Sequence, residues 1–134
     1  MKKISILFVA LFLLSGYAFP QFTLDIEITD IRNNTGKIML QLLDEKENII
    51  KEEMNTITDG KCSFSIINLS HGKYAVRYYH DENTNGMMET NIVGKPTEGY
   101  GFSNNVIGKS GPPPFEKWLF ELTGDKNIVL KPTY

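Results

Sequence analysis

From Phe22 onward, hydrophobic and polar residues alternate with a period of two. Phe22, Leu24, Ile26 and Ile28 interleave with Thr23, Asp25, Glu27 and Thr29, the pattern of a strand with one face in a core and the other in water. Asn33-Asn34-Thr35-Gly36 marks a turn, after which Ile38, Leu40 and Leu42 resume the alternation, with Met39 and Leu43 blurring the polar character of the outer face. Asp59-Gly60 is a hairpin signal ahead of an inward row of Cys62, Phe64 and Ile66. Gly72 precedes the row Tyr74, Val76 and Tyr78, and parity extends that row to His80, whose ring should tuck under the loop that follows. Trp118, Phe120 and Leu122 form another row and Ile128 and Leu130 the last, with Thr123-Gly124-Asp125 turning between them. Residues 44–58 are ambiguous, because their charges suit a helix while Ile49-Ile50 and residues 55–58 suit a loop running into a strand. About seven short strands with regular turns predict an all-β fold, a seven-stranded antiparallel sandwich of the immunoglobulin-like or prealbumin-like kind.

The first eighteen residues stand apart from this pattern. Lys2 and Lys3 give a positive start, Ile4 to Leu14 form an apolar run, and Gly16-Tyr17-Ala18 puts small residues where a signal peptidase reads. The run is short for a bilayer span. The expected organisation is therefore a signal peptide over residues 1–18 and one domain over residues 19–134, exported to the periplasm, cell surface or medium without a membrane anchor. Without Lys2 and Lys3 the 14 basic residues fall to 12 against 16 acidic ones, a net charge of −4. No Lys/Arg cluster interrupts this acidity, which argues against a nucleic-acid partner. The single cysteine, Cys62, is in phase with Phe64 and Ile66 and reads as a buried thiol without an internal disulfide partner. His71 reads as exposed.

Between His80 and Phe120 the alternation stops. Glycine, asparagine and proline at this density cannot propagate a helix or a ladder, yet the aromatics are too many for a disordered linker. A long, composed, ordered loop on a small β domain is where function concentrates. Its first motif is Asp81-x-Asn83-x-Asn85-Gly86-x-x-Glu89. Oxygen side chains on alternate residues ahead of a glycine turn can wrap a hard cation, with Met87 offering its carbonyl, so Asp81, Asn83, Asn85, Met87 and Glu89 are a candidate Ca²⁺ set. Ile92 stands where a helix-loop-helix site needs a bidentate glutamate, so the expected affinity is weak, ~10⁻⁴ to 10⁻³ M. The alternative is a plain turn, since Asn85-Gly86 turns the chain by itself. The second feature is a recognition surface: Tyr100 and Phe102 beside Lys95, Glu98, Asn104 and Asn105, with His80 at its root, offer stacking faces next to amide and charged groups. That mixture suits a carbohydrate or a short peptide. The alternative is that the aromatics fold back over the open end of the sandwich.

Three runs, His80-Asp81-Glu82-Asn83-x-Asn85-Gly86, Gly94-x-Pro96-x-Glu98-Gly99-Tyr100-Gly101-Phe102-Ser103-Asn104-Asn105 and Gly111-Pro112-Pro113-x-Phe115-Glu116, closely resemble the signature of domain of unknown function family 2141, a group of exported bacterial proteins. The motif Leu69-x-x-Gly72-x-Tyr74-Ala75-Val76 also resembles those of prealbumin-like sandwiches such as collagen-adhesin repeats and carboxypeptidase regulatory domains. Thr84 stands where the family often has glycine, and Met88-Glu89-Thr90 where Leu-Asp-Thr is common. The resemblance implies fold and export and leaves activity open.

Three functional classes follow. A noncatalytic carbohydrate- or peptide-binding module, monomeric, comes first, because the chain has no Gly-x-Ser-x-Gly, no His-Glu-x-x-His and no reactive-cysteine context. A calcium-stiffened structural or adhesion module of the cell envelope comes second. A hydrolase using His80 with Asp81 or Glu89 comes third.

Overall fold

The computed structural model describes Gly16 and residues 18–134. Apart from Gly16 and Ala18, the expected leader lies outside the described residues. Eight strands follow in order: β1 (Gln21–Ile28), β2 (Lys37–Asp44), β3 (Ile49–Thr56), β4 (Cys62–Ser70), β5 (Gly72–Asp81), β6 (Tyr100–Phe102), β7 (Phe120–Leu122) and β8 (Lys126–Leu130). They form two sheets, β4-β1-β8 and β3-β2-β5-β6, with β7 also paired to β5. The ambiguous segment resolves into a hairpin arm: the Asp44 carboxylate accepts from the Lys46 and Asn48 N–H groups, both at 2.9 Å, and β3 runs back along β2. Asp59 and Gly60 both have positive φ, 52° and 72°, as the two-residue turn predicted there requires, and Thr58 and Lys61 close it with reciprocal backbone bonds.

The sandwich expectation holds, with three differences. The extra strand is β6, a three-residue piece inside the segment read as loop. Pairing is antiparallel except between β1 and β8, which run parallel, Leu24 beside Lys126 through Ile28 beside Leu130. Trp118 does not continue the row of Phe120 and Leu122. Its backbone, φ −104° and ψ 2°, is not extended, so parity breaks before β7 begins. The indole instead packs on the outer face of the five-stranded sheet with Leu43 and Ala75, flanked by Phe102, Val106, Phe115 and Leu119.

The inter-sheet core is built from the predicted inward rows: Leu24, Ile26 and Ile28; Ile38, Leu40 and Leu42; Cys62, Phe64 and Ile66; Tyr74, Val76 and Tyr78; and Phe120, Leu122 and Leu130. Burial of Cys62 pushes its thiol up to about 11, which keeps it protonated at neutral pH. On one edge β5 is covered half by β6, opposite Arg77 to Tyr79, and half by β7, opposite Gly72 to Tyr74. Val76 falls in the gap. The buried Ser103 hydroxyl fills it, accepting from the Val76 N–H at 3.0 Å and donating to the Trp118 carbonyl. An unpaired N–H in a dry sheet would be costly, so this serine joins the two short strands into one continuous edge.

Candidate functional site

Two structures grow from the end of β5: a pinned loop, and a groove beside it. The loop is pinned from below by His80, which is fully buried. Its Nε2 lies 2.7 Å from the Thr35 carbonyl oxygen, which can only accept, so Nε2 carries the proton. Nδ1 is then free to accept from the Tyr134 hydroxyl at 3.0 Å. The same hydroxyl accepts from the Arg32 N–H at 3.2 Å, and the Arg32 guanidinium sits 4.4 Å from the centroid of the Tyr134 ring. Gly99 passes directly under that ring. A Cβ there would come within 2.4 Å of Tyr134 carbon, so this crossing admits only glycine without moving the ring. Backbone bonds between Tyr100 and Thr133, at 3.0 and 2.7 Å, complete the clamp.

Two buried carboxylates organise the loop from within. Asp81 is 2% exposed and accepts from the Asn85 N–H at 3.2 Å and the Gly86 N–H at 2.8 Å. Glu98, 5% exposed, accepts from the Glu82 N–H at 3.0 Å and the Glu89 N–H at 3.1 Å. Charged acceptors meeting backbone donors make some of the stronger bonds in a protein, and here they replace a regular ladder. Burial pushes the neighbouring Tyr79 phenol up, and the Asp81 and Glu98 charges push it further.

The five residues of the candidate calcium set are adjacent. The Glu89 carboxylate receives the Asn83 and Asn85 amide nitrogens at 2.5 and 2.7 Å, while the Asn83 and Asn85 oxygens accept from the Asn85 and Met87 N–H groups. The amides therefore turn nitrogen, not oxygen, toward Glu89. A cation would require both to rotate by half a turn, exchanging donor for acceptor. Among the described residues no group of three His, Cys, Asp or Glu side chains is placed to hold a metal, so such a site would draw on Asn83, Asn85 and the Met87 carbonyl.

The groove lies across the outer face of the five-stranded sheet and measures about 1530 Å³. Its floor is two cross-strand rows. Met54, Met39, Tyr79 and Tyr100 stand side by side on β3, β2, β5 and β6, and Glu52, Gln41, Arg77 and Phe102 form the next row. One wall is Met88 and the small hairpin closed by the Thr90 to Pro96 bridge, which brings Val93 and Lys95; the other is residues 108–112, with Lys109.

Of the residues singled out for a recognition surface, Lys95, Tyr100 and Phe102 line the groove. His80 and Glu98 lie beneath the loop. Asn104 donates to the Lys117 and Leu119 carbonyls at 3.0 and 2.9 Å, and Asn105 donates to the Val129 carbonyl and accepts from the Lys131 N–H. Both asparagines have positive φ and tie the turn after β6 to β8 and to the segment before β7. Met39, Met54, Arg77, Tyr79 and Lys109 were not singled out. Met39 alone carried a signal, as an apolar residue on a nominally wet face.

The sequence profile of the family described as "Uncharacterized protein conserved in bacteria (DUF2141)" matches residues 26–130, from the end of β1 through β8. The chain belongs to this family. No curated protein and no solved structure matches it. The DUF2141 match spans both the pinned loop and every strand under the groove.

Proposed function

We propose that this DUF2141 protein is a noncatalytic binding module whose groove accepts an extended peptide segment. The observation that carries the reading is the row Met54, Met39, Tyr79 and Tyr100, which makes an apolar floor across four strands on the face a single-layer sheet would give to water. At about 1530 Å³ the groove exceeds the ~300–1,000 Å³ of small-molecule sites, which favours a polymer. Between carbohydrate and peptide, the methionines favour peptide. Met39, Met54 and Met88 are unbranched and polarizable, suited to varied apolar side chains, while Asn104 and Asn105, the amides a sugar would use, are bonded to backbone. Fluorescence polarisation of capped random octapeptide pools against residues 19–134 tests this. Saturable binding that Met39→Glu and Tyr100→Ala each weaken supports it; pools that do not bind, with oligosaccharides that do, refute it.

A second reading, a calcium-stiffened envelope or adhesion module, draws on the meeting of Asn83, Asn85 and Glu89, with Asp81 tied to the same turn through the Asn85 N–H. The two are compatible, since the hairpin wall of the groove follows this loop directly. We also propose export, on the strength of the Lys2-Lys3 start, the apolar run and Ala18. A mature N-terminus at Phe19 in protein recovered from its native envelope or medium is the expected result, and intact Met1 the contrary one.

A further inference from the structure

We infer that the peptide taken by the groove is acidic, with a carboxylate seated on Arg77. The inference rests on the peptide-groove reading above and adds the ligand's charge and its anchor. Arg77 sits in the floor between Gln41 on β2 and Phe102 on β6. Its Nε donates to the Gln41 Oε1 at 2.6 Å, and the Gln41 Nε2 donates to the Glu52 Oε1 at 2.7 Å. The order of this relay fixes the glutamine amide: its nitrogen must face the glutamate, so its oxygen faces the arginine. With Nε engaged, the guanidinium keeps the Nη1/Nη2 end, a planar pair of donors that matches a carboxylate in bidentate fashion. Among the described residues Arg77 has no other side-chain hydrogen bond and no ion pair, although the residue is solvent-exposed.

The surroundings favour an anion on this side of the groove. Lys95 on one wall and Lys109 on the other add positive charge, and neither has an ion-pair partner among the described residues. Glu52, the acidic residue of the same row, is two strands away, roughly 9–10 Å at ordinary strand spacing, and its carboxylate already accepts from Gln41. It repels an anion from the β3 side and so orients the ligand. Phe102 beside Arg77 offers an apolar face to the ligand next to the charge. The relay also holds the guanidinium before binding, so less side-chain freedom is lost when the ligand arrives. A chain that is otherwise net acidic thus lines this groove with three cations, Arg77, Lys95 and Lys109, against two acids, Glu52 and Glu53, both on β3. The methionine floor makes the carrier of the carboxylate a peptide; an acidic saccharide would share the charge without matching that floor.

The test compares two capped octapeptide pools of identical apolar composition, one with a central Glu and one with a central Gln, on wild type, Arg77→Gln and Arg77→Lys. In wild type the Glu pool should bind about 10-fold tighter or more, the size of a charge-assisted hydrogen bond, and that ratio should shrink as salt rises. Arg77→Gln should bring the ratio to about one, and Arg77→Lys, a point charge without the fork, should restore only part of it. Melting temperatures of the variants control for folding. Equal binding of the two pools to wild type, or a Glu preference that survives Arg77→Gln, overturns the acidic seat while leaving the groove reading standing. Failure of both pools to bind overturns the groove reading itself. Oligouronides that bind where neither peptide pool does overturn the peptide class.

Discussion

The two faces of the five-stranded sheet are made from the same strands and are furnished in opposite ways. On the inner face Ile38, Leu40, Leu42, Val76 and Tyr78 are at most 3% exposed and meet the other sheet. On the outer face, one residue away in each case, Met39, Gln41, Arg77 and Tyr79 are half-buried or exposed and line a groove. Side chains on a strand point alternately to opposite faces, so these two sets can change independently. The inner face is given wholly to the core, while the outer face divides between the buried cluster of Leu43, Ala75 and Trp118 and the groove proposed for recognition. The loop from His80 to Gly99 joins the two faces, rooted in the core by His80 and forming the groove's wall at its far end.

Truncation separates the faces most sharply. Phe64→Ala, in the inter-sheet core, should lower the unfolding free energy by about 3–5 kcal/mol. Met39→Ala on the outer face should stay within about 1 kcal/mol, close to the range of surface substitutions. Denaturant melts of the two variants side by side check this, and similar losses would erase the distinction between the faces. Next in size is the root of the loop. Tyr134→Phe leaves the Nδ1 of buried His80 without its donor and should cost about 1–3 kcal/mol. Amide exchange should rise selectively in residues 80–99; uniform loss across the sandwich would show that Tyr134 belongs to the core instead of the loop.

Calcium, if the second reading holds, should give a smaller effect confined to the same loop. At ten times Kd, binding to the folded state should add about 1.4 kcal/mol, and Glu89→Gln should remove the gain. Glu89 is the better variant because it is exposed, whereas Asp81 is buried and holds two backbone N–H groups whether or not a cation is present. A melting temperature indifferent to millimolar calcium would reduce the motif to a hydrogen-bonded turn. Smallest in free energy is Cys62. A maleimide should leave it unmodified in the native protein at neutral pH and label it fully in denaturant, because burial holds the thiol protonated and out of reach. Rapid native labelling would mean that β4 opens.

The inner face was legible in the sequence because burial imposes strict alternation, and Leu24 to Ile28, Ile38 to Leu42 and Tyr74 to His80 all obey it. Alternation misleads where the backbone leaves the strand without a change of composition. Trp118 keeps phase with Phe120 in sequence while its ψ of 2° turns it to the other side. The parallel pairing of β1 with β8 is a choice between distant partners and leaves no local mark. In the loop the unusual residues were visible but their partners were not. Asn104 and Asn105 look like ligand amides until the carbonyls of Lys117, Leu119 and Val129 are found within reach. Arg77 reads as an ordinary outward charge, and only the register placing Gln41 and Glu52 beside it shows that it is held in place.

The outer-face groove is tested most directly by the methionine methyls, since the described residues place Met39, Met54 and Met88 in it and leave Met87 exposed outside its lining. With methyl-¹³C-methionine in residues 19–134, titration of the acidic octapeptide pool should shift and broaden the Met39, Met54 and Met88 signals while Met87 stays in place. Methyl signals at Met39 and Met54 that remain unmoved at saturating peptide would contradict the assignment of this face to recognition.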